Sequence, residues 1–152
     1  MPRIINGVAG AKALVGQTLG SSEWVTIDQD RINQFAEVTG DHQWIHVDVE
    51  RAKAGPFGAP IAHGFLTLSM VVSLNQQIIQ YEGFSAGINY GSNKVRFLTP
   101  VKVGSRIRST LSMLSIEDKA MGILITNQAV IEIEGSPKAA VTAELLSLLI
   151  PA

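Results

Sequence analysis

The segment "FLTLSMVVSLNQQIIQY", Phe65–Tyr81, decides the fold of this chain. Apolar residues fall on nearly every side of a helix drawn through it, and no charged residue occurs before Glu82. A soluble helix that is apolar all round has to be covered by protein on all sides. The run is also too short for a membrane span, which needs ~20 apolar residues. The segment therefore predicts a helix buried at the centre of a globular protein.

The chain after Gly83 changes to short β-rich runs separated by the turn sequences "TPVKVGS", "EDKA" and "EGSPK". The alternation in "VIEIEG" is typical of a strand with one buried face. The predicted strands are Ser22–Ile27, Ile88–Leu98, Arg106–Ser115, Gly122–Glu134 and Ala139–Leu149. Since the central helix needs cover and the sheet needs one buried face, we expect an α+β fold with an antiparallel sheet around the helix.

The chain before the central helix contains a second helix with recognisable ends. Asp28 is a good N-cap, and Gly40 supplies the usual stop, so Asp41 lies just past a helix end. Val47–Ala54 is expected to form a short helical turn. The glycines and prolines of Gly55–Gly64 predict a loop that leads into the central helix.

Length and composition limit the class of protein. The 152 residues fit one domain over residues 1–152, and 46% hydrophobic against 16% charged residues suits a soluble globular core. With 12 basic and 13 acidic residues and no basic run, we expect neither a nucleic-acid nor a membrane partner. The absence of cysteine excludes disulfides and thiolate chemistry. Together with glycines that interrupt any secretory signal near the N-terminus, it favours the cytoplasm.

The stretch "GDHQWIH", Gly40–His46, allows two kinds of chemistry. His42 and His46 have the spacing of two metal ligands on one helix face, with His63 as a possible third. That arrangement needs helix through residues 42–46, which Gly40 opposes, so we expect no metal. The alternative is an acid-base pair of Asp41 and His46, which converge only if the loop bends back on itself. On spacing alone, Asp41 could equally be a cap and His46 a hydrogen-bonded buried side chain.

Two further motifs are compatible with catalysis or with a purely structural role. In "PIAHGF", free amides at the start of the central helix could stabilise negative charge on a carbonyl oxygen next to Gly64. Gly64 could instead serve backbone freedom, and we expect His63 to be structural rather than catalytic. In "NYGSNKVRFLTPVKVGSRIR", basic side chains could be solvated or could bind a phosphorylated carrier. They are Lys94, Arg96, Lys102 and Arg106.

Three segments taken in order, "FAEVTGDHQWIHVD", "FGAPIAHGFLTLSM" and "INYGSNKVRFLTPVKVGSRIR", resemble the MaoC-like dehydratase family. Its single-domain (R)-specific enoyl-CoA hydratases are the most similar members. The resemblance implies a hot-dog fold and homodimers whose sheets join edge to edge. It implies that Asp41 and His46 activate water, that the amide of Gly64 polarises the thioester carbonyl, and that no cofactor is needed beyond the coenzyme A of the substrate.

One departure from the family affects the loop. Many members have D-x-N-P-x-H, whereas Gln43 and Trp44 stand here in place of Asn-Pro, so Trp44 has to shape the loop by packing. We expect Trp44, Phe57 and His63 to bind substrate, and Phe84 and Met70–Leu74 to influence the depth of the acyl tunnel.

The expected activity is reversible hydration of trans-2-enoyl-CoA to (R)-3-hydroxyacyl-CoA. Two alternatives are an acyl-CoA thioesterase of the same fold and an acyl-CoA-binding module without turnover. The central helix lacks the carboxylate that such thioesterases often carry. The joint presence of acid, histidine and glycine speaks against a module without turnover.

Overall fold

The computed structural model describes all 152 residues and contains one six-stranded antiparallel sheet. Its strands are β2 (Thr18–Ser21), β3 (Val25–Thr26), β5 (Phe84–Phe97), β6 (Arg106–Lys119), β7 (Gly122–Ile133) and β8 (Val141–Pro151). Their order is β2-β6-β7-β8-β5, with β3 also paired to β6. The five predicted strands are therefore confirmed, although only the two-residue β3 lies within the early prediction Ser22–Ile27, and β2 before it was not predicted.

Six helical segments accompany the sheet: α1 (Gly7–Lys12), α2 (Gln29–Thr39), α3 (Trp44–Val47), α4 (Val49–Lys53), α5 (Gly64–Ser69) and α6 (Val71–Gln76). Met70 joins the last two with helical backbone angles. Its N–H donates to Leu66 O (3.0 Å) and its carbonyl accepts from Leu74 N–H (3.1 Å). The hydrogen-bond ladder thus continues across the join, and Gly64–Gln76 is called the central helix below.

The predicted helical extent as far as Tyr81 is wrong. The chain leaves the helix after Gln76, and Ile79–Glu82 forms β4, which pairs in parallel with β1 (Arg3–Asn6). The N–H of Arg3 donates to Ile78 O (2.8 Å) at the start of this pair. The partner strand lies more than seventy residues away in sequence, so the competing pairing was not visible in the local pattern. Neither β1 nor α1 was predicted.

The concave face of the sheet packs on the central helix, which gives the α+β hot-dog fold that was predicted. On β7 the residues Ile123, Ile125, Ala129 and Ile131 alternate inward and are at most 2% exposed. From the helix, Leu66, Met70, Val71 and Leu74 join the same core cluster. Asn127 occupies one of the inward positions in the β7 alternation and is 7% exposed.

One face of the central helix is left uncovered by the rest of the chain. Phe65 is 69% exposed and Val72 is 62% exposed. The expectation that this helix is covered on all sides is therefore not met within one chain. The uncovered face lies beside β5, the strand at the edge of the sheet. None of the helices combines the length and the apolar character that crossing a membrane requires.

Candidate active site

The loop that carries the acid and the histidine begins at a well-defined helix end. Asp28 Oδ1 accepts from Arg31 N–H (2.9 Å) at the start of α2. At its end Gly40 adopts a left-handed conformation (φ 78°), and its N–H donates to Ala36 O (2.8 Å). Because glycine takes this conformation without steric cost, the chain can turn sharply before Asp41. The predicted cap and stop are both confirmed.

His46 lies in α3 and is 6% exposed. Its Nδ1 lies 2.6 Å from Ile61 O. A carbonyl oxygen can only accept, so Nδ1 carries the hydrogen and the neutral ring presents Nε2 as a free base. Burial lowers the pKa of His46 below 6.5, an effect that His63 reinforces and that the bond to Ile61 and the charge of Asp41 oppose. The ring is therefore held in one tautomer and favours the neutral form.

His63, at the N-cap of the central helix, connects the other parts of the site. It is 2% exposed, and its Nε2–H donates to the main-chain carbonyl of Asp41 (3.0 Å). Its ring stacks on His46 with centroids 3.9 Å apart and contacts Phe35 at 4.9 Å. Its Nδ1 is buried without a hydrogen-bond partner. His63 thus holds the backbone of one predicted catalytic residue and the ring of the other.

The structure brings Asp41, His46 and His63 together. One side-chain oxygen or nitrogen atom of each lies within 4.8 Å of those of the other two. The Asp41 carboxylate is exposed, and its Oδ1 accepts from Gln43 N–H at 3.3 Å. The loop therefore bends back as an acid-base pair requires. The structural alternative also holds in part, because His46 is buried and hydrogen-bonded.

The predicted metal set of His42, His46 and His63 does not form, although Asp41, His46 and His63 lie close enough to share an ion. His42 is exposed, 3.7 Å from Glu37, and lies outside α3, so it shares no helix face with His46. In the cluster that does form, one nitrogen of His46 and one of His63 bond to carbonyl groups, as they also do in metal-ligating histidines, so these bonds do not decide the question. The two rings are stacked, so the lone pairs of His46 and His63 lie in nearly parallel planes and do not converge on one point. The absence of a metal ligand set stays a prediction.

Gly64 opens the central helix beside this cluster. The N–H groups of Gly64, Phe65 and Leu66 have no acceptor within the chain. Gly64 has no left-handed φ, so backbone freedom does not account for this glycine. A Cβ placed there would lie 2.9 Å from Phe97 Cδ1. The absence of a side chain leaves room for the Phe97 ring and keeps the amides approachable.

None of the three predicted substrate-binding residues, Trp44, Phe57 and His63, lines either of the two main cavities. Trp44 packs under the Arg51 guanidinium, 4.2 Å from the ring centroid, and lies so close to Gly55 that a Cβ there would be 2.9 Å from Trp44 Cζ3. This packing accounts for the loop shape without the Asn-Pro turn. The role of the three residues in substrate binding stays a prediction.

The basic residues near the site differ in how they are paired. Arg106 bonds to Glu134 (3.0 Å), and Lys94 lies 3.6 Å from Glu144. Arg96 donates only to a neighbouring main-chain carbonyl, and Lys102 has no acidic partner. Lys102 pairs through its backbone with Ile61, next to the site. Arg96 and Lys102 are therefore the two of the four still free to bind a phosphate.

Two cavities flank the central helix. One of about 200 Å³ lies beside Gly64 and reaches Val141 and Phe97. The other, of about 470 Å³, lies between the helix and the sheet and extends to Tyr81. Its lining includes Val71 and Val72 of the predicted Met70–Leu74 segment, but not Phe84. Asn127, which also lines it, was missed although a polar residue at an inward position of an apolar alternation could have indicated it.

Comparison with known proteins agrees with the fold and the motifs. Residues 11–133 match the family described as MaoC like domain. The 3-hydroxyacyl-thioester dehydratase Z of Mycobacterium tuberculosis is 51% identical over 143 residues, 93% of this chain and 95% of that protein. Nodulation protein N of Rhizobium meliloti is 44% identical, over 93% of this chain and 89% of that protein.

Among solved structures, the (R)-hydratase from A. caviae involved in PHA biosynthesis superposes with a TM-score of 0.73 at 25% identity. The match covers 89% of this chain and 96% of that one. The chain belongs to the MaoC-like dehydratase family. It is accordingly an enzyme of the hydratase and dehydratase class.

Proposed function

We propose that this enzyme catalyses the reversible hydration of a trans-2-enoyl-CoA to the (R)-3-hydroxyacyl-CoA in fatty acyl metabolism. The observation that carries the proposal is the buried His46, whose Nδ1–H bond to Ile61 leaves Nε2 as a free base beside Asp41. The 51% identity to a 3-hydroxyacyl-thioester dehydratase over nearly the whole chain supports it. The reaction needs no cofactor beyond the coenzyme A that the substrate carries.

In the proposed hydration, water adds its hydroxyl to C3 while C2 gains a proton. His46 Nε2 accepts the proton of the attacking water, which suits a neutral imidazole with a lowered pKa. The Asp41 carboxylate accepts the second hydrogen bond of the same water and so orients its lone pair towards C3. The protonated His46 then gives this proton to C2, so the ring is neutral again at the end of the cycle. In the reverse direction His46 removes the proton from C2 and returns it to the departing hydroxyl, while Asp41 holds the water that forms.

The thioester oxygen gains negative charge when C3 is attacked. The unpaired amides at the start of the central helix, Gly64 first among them, are suited to donate to this oxygen. A hydrogen bond to the enolate-like oxygen is stronger than one to the neutral carbonyl, so it lowers the barrier selectively. The positive end of the helix dipole acts in the same direction.

We also propose that the enzyme is a homodimer joined along β5. This strand is at the edge of the sheet and pairs only with β8. It carries exposed Ile88 and Tyr90, next to the exposed Val72 of the central helix. Unpaired edges and exposed apolar patches are typical of protein interfaces.

With near-balanced charge we propose a cytoplasmic enzyme that binds neither nucleic acid nor membrane.

The test follows the loss of the conjugated enoyl thioester absorbance with crotonyl-CoA. Wild type should hydrate it, and the variants Asp41→Asn and His46→Gln should each lose roughly 10²–10⁴-fold in kcat, the usual contribution of an acid-base group. Circular dichroism checks that each variant is folded. Release of free thiol faster than hydration would favour the thioesterase, and tight binding without turnover would favour a binding module.

A further inference from the structure

The larger cavity contains polar groups that a pocket for a plain hydrocarbon chain would not need. Asn127 Oδ1 and the Tyr81 hydroxyl are buried atoms without a hydrogen bond of good geometry, although the Asn127 side chain lies close enough to the Tyr81 hydroxyl to affect its pKa. The inward-facing Ser147 of β8 lines the same cavity. Nearby Asn75 differs, because its Oδ1 accepts from Ser109 Oγ (2.7 Å). Buried polar groups in native proteins nearly always have partners, so the unpaired ones indicate a ligand or water.

These groups lie far from Gly64, where the proposed function places the thioester. Val141 of β8 lines the smaller cavity next to Gly64, and Leu145, four residues on, is the register partner of Asn127. Four residues of a β-strand span about 13 Å, so Leu145 and its partner Asn127 lie about that far along the sheet from Val141. Tyr81 follows the opposite end of the central helix from Gly64. An acyl chain that starts at Gly64 and runs along the central helix would therefore bring its distal part to these polar groups.

The chemistry of the lining selects the kind of group. Asn127 Oδ1 can only accept, whereas the Tyr81 hydroxyl can donate. Burial raises the pKa of Tyr81, with the neighbouring Asn127 amide opposing this less strongly, so the phenol keeps its proton. No Lys, Arg or His lines the cavity, so a carboxylate would be buried without a counter-charge. An alcohol fits, because it donates through its hydrogen and accepts at its oxygen.

We propose that this cavity binds acyl chains bearing a hydroxyl group near their distal end, with Asn127 and Tyr81 as the specificity-determining residues. The inference rests on the proposed hydratase function and names a substrate class for it. A chain without the hydroxyl would fill the same space but leave Asn127 Oδ1 and the Tyr81 hydroxyl unpaired. Sites built around a substrate hydroxyl discriminate strongly against analogues that lack it.

The experiment compares kcat/KM for trans-2-decenoyl-CoA and for its ω-hydroxy analogue, which have the same chain length. Wild type should prefer the hydroxylated substrate by about tenfold, the equivalent of one good hydrogen bond. Asn127→Leu should abolish this preference, and Tyr81→Phe, which preserves the ring, should reduce it. The matched control is Gln128→Leu, next along β7 and exposed on the other face, which should keep the wild-type preference.

The proposal is overturned if wild type turns over the unsubstituted chain as well as or better than the ω-hydroxy chain, and if Asn127→Leu leaves the ratio of the two kcat/KM values unchanged. The cavity would then hold only water. Hydration of crotonyl-CoA by wild type separates the two proposals. If crotonyl-CoA is hydrated and the ω-hydroxy preference is absent, only the hydroxyl pocket fails. If crotonyl-CoA is not hydrated, the proposed function itself fails.

Discussion

At the Gly64 end of the central helix, the polar side chains are tied to main-chain carbonyls: His46 donates to Ile61 O and His63 to Asp41 O. Of these two histidines only His63 has a buried nitrogen without a partner, its Nδ1, whereas at the other end both Asn127 Oδ1 and the Tyr81 hydroxyl lack one. A fixed hydrogen bond holds a histidine ring in one tautomer and one orientation, and a group that transfers protons needs both. Unpaired groups beside a cavity can instead exchange water for a ligand. The two ends are thus suited to reaction and to recognition respectively.

After the loss of the acid-base groups themselves, the largest effect is expected from removing the hydrogen bond that holds Asp41. In His63→Phe the ring remains against His46 and Phe35, but the donor to Asp41 O is lost. We expect kcat to fall about 10²-fold with little change in KM, because small displacements of reacting groups are that costly. His63→Gln restores a donor and should recover most of kcat. Steady-state kinetics with crotonyl-CoA measures both variants. If His63→Phe is as active as His63→Gln, His63 has no positioning role.

A smaller effect is expected at the start of the helix. In Gly64→Ala the new Cβ would lie 2.9 Å from Phe97 Cδ1, so the ring has to move over the free amides. We expect kcat/KM to fall about tenfold, the effect of one weakened hydrogen bond to the thioester oxygen. Phe97→Leu in the same chain should relieve the crowding and restore activity. If the double variant stays as slow as Gly64→Ala, the methyl group itself blocks the substrate.

The fixed tautomer of His46 also predicts a pH dependence. The neutral ring is the base, and burial lowers its pKa below 6.5, so activity should persist at pH 6.5 and fall only as the pH drops through that lower value. Because the unfolded state binds this proton more readily, stability should fall as the pH drops from 6.5 towards the lower folded-state pKa, and level off below that pKa. The pH profile of kcat/KM for crotonyl-CoA tests this. Half-maximal activity at or above pH 6.5 would contradict it.

The smallest effect concerns stability at the recognition end. Asn127→Leu removes a buried amide oxygen that has no partner, so the free energy of unfolding should rise by about 1 kcal/mol. Ser109→Ala provides the contrast, because it removes the donor to Asn75 Oδ1 and should lower the free energy of unfolding by about 1 kcal/mol. Denaturant titration measures both changes. A destabilised Asn127→Leu variant would show that Asn127 is already satisfied, and the contrast between the two ends would disappear.

Much of the site could be predicted because its signals are local. Asp28 and Gly40 define the ends of α2 by their own backbone preferences, and so place Asp41 in a loop. The glycine before a long apolar helix indicated where free amides would lie. The position of His63 relative to Asp41 could not be read in this way, because the two residues are twenty-two positions apart and meet only when the loop closes.

The sequence by itself determined the apolar helix, the alternating strands and the loop after Gly40, since each depends on residues within a few positions of one another. Tertiary structure decided where the helix ends, because β1 captures Ile79–Glu82 as a parallel partner. It also decided which carbonyls fix the two histidines and which polar groups face the cavity. Such features depend on contacts between distant segments, where packing and hydrogen bonding override local preference.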